Sequence, residues 1–136
     1  MYESIFSDKD MMLFQNLLRT HKKTLTTAES CTGGLIASMI TEMPGSSDIF
    51  NGAVVTYSNE IKEQELGVKG ITLSTNGAVS IEVVNEMLSG VIKKFNSDFA
   101  IAISGIAGPN GGTKDKPVGT VVIGIKGKNI GQNIEI

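Results

Sequence analysis

The feature that most constrains the fold is Phe99-Ala100-Ile101-Ala102-Ile103, an unbroken apolar run. A run with no polar alternation suits a strand covered on both faces. Just upstream, Val83, Val84, Met87, Leu88, Val91, Ile92 and Phe95 recur at helical spacing. That period marks an amphipathic helix. A helix leading into a doubly covered strand is the repeating unit of an α/β sheet.

The same alternation recurs along the rest of the chain. Ser7-Asp8-Lys9-Asp10 has the form of a capping box, and Met11, Phe14, Leu17 and Leu18 extend it into a helix over 8–21. Residues 24–28 are short and β-branched, the mark of a strand. Leu35, Ile36, Met39, Ile40 and Met43 fit a second helix, stopped by Pro44-Gly45. Residues 53–57 read as a strand, and Ser58 caps a short helix through Leu66 with Gly67 behind it. Residues 69–79 read as a loop, and Ser80 opens the long helix. A glycine- and lysine-rich loop over 104–118 precedes a buried-type strand at 119–125 and a last strand over 129–136. The expectation is one α/β domain over 1–136, with helices on both faces of a mixed sheet.

Composition then excludes several classes of function. The chain has 136 residues, 40% of them hydrophobic and 19% charged, which is ordinary for a soluble globular domain with a real core. A formal charge of −2 lacks the basic clustering of a nucleic-acid surface. Cys31 is the one cysteine, so no intramolecular disulfide forms, which fits a reducing compartment. No apolar run approaches the roughly 18 residues of a membrane span. Residues 1–10 lack the regions of a signal peptide, so the expected location is the cytoplasm. His21 is the sole histidine and sits in a basic segment at a helix end, facing solvent. That argues against a Ser-His-Asp triad and against a multi-histidine metal site. Arg19 is the sole arginine, so a phosphate would be held mainly by backbone N–H groups, lysines and hydroxyls.

Three segments carry candidate chemistry. In Thr27-Ala28-Glu29-Ser30-Cys31-Thr32-Gly33-Gly34, side chains with nucleophilic atoms precede two glycines at a strand–helix junction. A helix start offers unpaired N–H groups to an anion or an oxyanion. Plain helix capping by Ser30 or Thr32 is the competing reading. In Tyr57-Ser58-Asn59-Glu60-Ile61-Lys62, a strand-ending tyrosine sits five residues before a helix lysine. Turned inward, Lys62 would lose its charge to burial and serve as a base; turned outward, it is a solvated surface lysine. The third segment runs from Ser104-Gly105-Ile106-Ala107-Gly108-Pro109 to Thr113 and on to Lys114, Lys116 and Pro117. It begins where a buried strand ends, the usual place for a ligand in an open α/β sheet. It reads either as an anion nest or as a flexible loop. If the three strands run parallel, all three segments share one rim.

Together with Pro44-Gly45-Ser46-Ser47, Gly77-Ala78-Val79-Ser80 and Lys116-Pro117-Val118-Gly119-Thr120, these motifs resemble, in the same order, the CinA C-terminal domain family, whose enzymes are nicotinamide-nucleotide amidases. The resemblance covers about residues 13–125. It implies a three-layer α/β/α fold with a mixed, mainly parallel sheet. The implied reaction is metal-free and cofactor-free hydrolysis of nicotinamide mononucleotide to nicotinate mononucleotide and ammonia. The implied catalytic residues are Ser30 as nucleophile, Lys62 as base and Tyr57 as assisting hydroxyl. The implied substrate-binding residues are Cys31, Thr32, Gly33, Gly34, Ser104, Gly105, Gly108 and Thr120. Oxyanion donors are expected among the N–H groups around Cys31 to Gly34. The substrate phosphate is expected on the 104–113 loop or at the helix start.

One departure from the family pattern stands out. Members carry a Gly-Asp-Arg motif and a final amphipathic helix, and neither occurs in these 136 residues. A sheet face is therefore expected to lie bare and to be covered by a second subunit, giving a homo-oligomer. An inactive nucleotide-binding or interaction protein of the same fold is the alternative to an active amidase.

Overall fold

A computed structural model describes residues 6–136. The leader-free reading of residues 1–10 thus falls partly outside the described residues. Elements follow in the order α1 (Asp8–Thr20), β1 (Leu25–Glu29), α2 (Leu35–Thr41), a 3₁₀ turn (Ser46–Asp48), β2 (Phe50–Val55), α3 (Asn59–Leu66), α4 (Gly70–Asn76), α5 (Ile81–Phe95), β3 (Phe99–Gly105), β4 (Val121–Gly127) and β5 (Gly131–Glu135).

The serine caps act where their spacing placed them. Ser7, Ser58 and Ser80 accept the N–H groups of Asp10, Ile61 and Val83, opening α1, α3 and α5. Segment 69–79 is not a plain loop, because it contains α4. Its start is capped across space: Lys69 N–H and Thr72 Oγ1 donate to the Glu86 carboxylate on α5, at 2.8 and 2.6 Å.

The five strands form one mixed sheet in the order β2-β1-β3-β4-β5. β1 pairs in parallel with β2 and with β3, while β4 is antiparallel to β3 and to β5. The sheet is therefore half parallel and half antiparallel by pairing rather than mainly parallel. The parallel half positions the site. Its carboxyl ends bring the segments after Glu29, Val55 and Gly105 to one rim.

Side-chain alternation along β3 divides the core. Ala100 and Ala102 face α5, whose Val83, Val84, Met87, Leu88, Val91 and Ile92 bury against the sheet with Ala28 and Val122. Phe99 and Ile101 face the other way, toward Met11 and Leu18 of α1 and Ile40 of α2. Small alanines under α5 and large side chains under α1 give each layer its spacing. Helices cover both faces at β1 and β3. At β4 one face is open: Ile123 and Ile125 are 48% and 52% exposed. The strand expected to be buried on both sides is therefore covered on one. Among the described residues, no helix is long and apolar enough to cross a membrane.

Candidate active site

Ser30 follows the last residue of β1. Its N–H donates to Ile103 O at 3.1 Å, and its carbonyl accepts from Gly33 N–H at 3.0 Å. The chain then turns sharply through Gly33 and Gly34, whose φ values of 62° and 97° lie in the left-handed region. Glycine alone enters that region readily. The turn holds the Ser30 hydroxyl at the sheet rim.

Neither Ser30 nor Thr32 caps α2. Glu29, fully buried, does so from the end of β1. Its carboxylate oxygens accept the N–H groups of Ile36 and Ala37 at 2.8 and 2.9 Å, and the hydroxyls of Thr32 and Thr27 at 2.7 and 3.0 Å. A carboxylate at a helix start satisfies orphan donors and suits the helix dipole. Glu29 lies inside the quoted motif, yet sequence reasoning assigned it no role. At the helix start, one of the two places expected for a substrate phosphate, Glu29 already takes the N–H groups of Ile36 and Ala37.

Lys62, on α3, points inward. It is 1% exposed, and its Nζ lies 3.2 Å from Ser30 Oγ and donates to Thr56 O at 2.8 Å. Thr56 is itself fixed by its N–H donating to Glu29 O at 2.7 Å. No carboxylate pairs with the amine among the described residues. Burial pushes the Lys62 amine below its ordinary value of 10.5, and the Cys31 thiol opposes this in part. As placed, the amine donates to both Thr56 O and Ser30 Oγ; once neutral, it keeps an N–H on Thr56 O and can turn its lone pair to the Ser30 hydroxyl, which then donates to it. That is the arrangement a nucleophile and its base require.

Ser30 and Cys31 line an open cleft of about 450 Å³ with Tyr57, Gly77–Val79, Gly105–Gly108, Gly111, Thr113 and Lys116. Burial raises the Cys31 thiol above its ordinary value of 9.0. The N–H groups of Cys31 and Thr32, and the Lys62 amine, partly oppose this. Gly105 lets the Cys31 side chain sit beside β3: a Cβ on Gly105 would lie 2.8 Å from Cys31 Sγ. Tyr57 stands at the mouth, 67% exposed. Its hydroxyl makes no hydrogen bond to Ser30 or Lys62 among the described residues.

Five residues expected to bind substrate are not in the cleft wall. Gly33 and Gly34 form the turn, and the Thr32 hydroxyl is held by Glu29. Ser104 is buried within β3, with its hydroxyl donating to Ala78 O at 2.9 Å. The Thr120 hydroxyl donates to Pro117 O at 2.7 Å. Arg19 is remote, tying α1 to Asp48 and to Gly45 O.

Residues 9–135 match the profile of the family described as CinA C-terminal domain. The chain belongs to the CinA C-terminal domain family. A CinA-like protein of Desulfosudis oleivorans is 53% identical over 128 residues, which is 92% of this chain and 31% of that protein. One from Endomicrobium trichonymphae is 60% identical over 108 residues, covering 79% of this chain and 25% of that protein. The chain thus spans about a quarter to a third of the curated relatives it matches. The crystal structure of the competence/damage inducible protein CihA from Agrobacterium tumefaciens superposes with a TM-score of 0.88 at 40% identity. That match covers 92% of this chain and 76% of the other. The competence damage-inducible protein A from Klebsiella pneumoniae gives a TM-score of 0.87 at 36% identity, over 92% and 77% of the two chains. In this CinA C-terminal domain, then, the Ser30–Lys62 contact is set on the family's fold.

Proposed function

We propose that this CinA C-terminal domain hydrolyses the carboxamide of nicotinamide mononucleotide, with Ser30 as nucleophile and Lys62 as base. The observation that carries the reading is the buried Lys62 amine 3.2 Å from Ser30 Oγ, with no carboxylate partner among the described residues. A serine hydroxyl is a weak nucleophile until a neighbouring base takes its proton. In this reading, Ser30 Oγ bonds to the carboxamide carbon, its proton passes to Lys62 Nζ, and the carbonyl electron pair moves to oxygen. The N–H groups of Cys31 and Thr32 meet the Cys31 sulfur and have no carbonyl partner among the described residues, so they are the candidate donors to that oxyanion; the Gly33 N–H is engaged by Ser30 O. The C–N bond then breaks, and Lys62 returns the proton to the departing nitrogen, releasing ammonia. Water attacks the resulting ester with Lys62 again taking the proton. The ester bond breaks, the proton returns to Ser30, and nicotinate mononucleotide leaves. In this reading Tyr57, exposed at the mouth, contacts the substrate rather than the dyad.

The reading includes a second copy of the chain over the bare face of β4, where Ile123 and Ile125 stand exposed. Light scattering that shows only monomer at micromolar concentration contradicts that part.

The test is incubation of the purified domain with nicotinamide mononucleotide, following ammonia and nicotinate mononucleotide together. Stoichiometric release of both supports hydrolysis. Calorimetric binding of the nucleotide without turnover supports instead an inactive nucleotide-binding protein.

A further inference from the structure

We propose that Lys116 is the residue by which the cleft recognises a phosphate-bearing substrate, selecting a nucleotide over the corresponding nucleoside. The proposal rests on the amidase reading above and names the substrate class of that same site. Among the described residues, Lys116 is the one charged side chain lining the cleft. Its neighbours Lys114 and Asp115 are exposed and outside the wall. The Lys116 Nζ donates to Asn76 O at 2.8 Å. That carbonyl ends α4, where helix carbonyls carry partial negative charge. An ammonium has three donors, so this contact leaves two for a ligand.

The base of the side chain is fixed as well. Lys116 N–H donates to Thr113 Oγ1 at 3.0 Å, and Thr113 N–H donates to Lys116 O at 2.8 Å. The residue is half-buried, where a charge is screened less than at an open surface. Thr113 and Gly111, also in the wall, stand on the same loop. The competing anion site is closed, because the Glu29 carboxylate occupies the N–H groups at the start of α2. Glu29 would also repel a phosphate brought to that end. Among the described residues of the cleft wall, a substrate with its carboxamide at Ser30 therefore meets one cation, and it stands on the loop that returns to β4.

The experiment compares kcat/KM for nicotinamide mononucleotide and nicotinamide riboside in the wild-type domain, Lys116→Gln and Lys116→Arg. Glutamine keeps a neutral N–H donor for Asn76 O and removes the charge. In Lys116→Gln the nucleotide-to-nucleoside ratio is expected to fall about 10- to 100-fold, mainly through KM, the scale of a charge-assisted hydrogen bond. Lys116→Arg is expected to keep most of the preference, and inorganic phosphate to inhibit the wild type better than Lys116→Gln. An unchanged ratio, or an equal loss for both substrates, overturns the assignment. If the wild type turns over neither substrate, the amidase reading fails by itself. Calorimetry with nicotinate mononucleotide then decides: binding weakened in Lys116→Gln upholds the role of Lys116, while equal or absent binding overturns it.

Discussion

Glu29 caps α2 in place of its chain neighbour Ser30, accepting the N–H groups of Ile36 and Ala37 and leaving the Ser30 hydroxyl to Lys62. A serine at a strand–helix junction ordinarily turns to the helix N–H groups. Here a buried carboxylate takes that place.

Glu29→Gln tests this division of roles. The neutral side chain has one acceptor oxygen for a site that receives four hydrogen bonds, and its NH₂ would face donors. The expected loss is about 1.5–3 kcal/mol of stability, read from denaturant unfolding. Turnover should fall as well, because the Ser30 turn loses its anchor. An unchanged unfolding midpoint would contradict the cap.

On the proposed reading, burial of Lys62 sets the pH dependence of activity. Lys62 must be neutral to accept the Ser30 proton, and its amine titrates below 10.5. Below that lowered pKa, kcat/KM is expected to fall about tenfold per pH unit. Its acid limb should have a midpoint below the ordinary lysine value. A midpoint at or above that value would speak against Lys62 as the base.

The same burial makes folding pH-dependent, with a definite sign. Between the lowered folded pKa and the unfolded value, the unfolded chain holds more protons than the folded one. Stability therefore rises with pH through that window, by up to about 1.4 kcal/mol per unit. Lys62→Met removes this dependence. The difference in Tm between Lys62→Met and wild type should shift steadily in favour of the wild type as pH rises through the window. A constant difference would mean that the buried amine carries no folding penalty.

Gly105 and Cys31 are coupled by close approach. A Cβ at Gly105 meets Cys31 Sγ at 2.8 Å and Thr120 O at 3.1 Å. Gly105→Ala is expected to cost about 1–3 kcal/mol, as overpacking does. Adding Cys31→Ala should recover part of that loss, since the sulfur is the nearer obstacle and the carbonyl remains. Strict additivity in the double-mutant cycle would show that the two side chains do not compete for space.

What the sequence disclosed follows from the range of each interaction. Ser7, Ser58 and Ser80 cap N–H groups three residues on, so their helices are readable from a local pattern. α4 begins on Glu86, 17 residues beyond Lys69, and its Gly-Ile-Thr-Leu-Ser-Thr-Asn has weak helix preference. Glu29 reaches seven and eight residues to Ile36 and Ala37, a spacing that no local capping rule covers. β2 runs Phe50–Val55 rather than the expected 53–57, and its register with β1 shifts at its start. The rim itself was readable, because Ser30, Tyr57 and Gly105 each follow or end a strand. Hydroxyl directions were not: Ser104 turns to the carbonyl of Ala78, which the tertiary fold brings within reach, and Thr120 turns to that of Pro117, which also accepts the Thr120 N–H.

The central claim is that Ser30, and not the adjacent Cys31, attacks the carboxamide. The most direct measurement is ammonia release from nicotinamide mononucleotide by wild type, Ser30→Ala and Cys31→Ala, each verified as folded. The account predicts that Ser30→Ala loses turnover by at least about 10³-fold, the scale for removing a nucleophile, while Cys31→Ala keeps a substantial rate. Turnover that survives in Ser30→Ala and disappears in Cys31→Ala would contradict it.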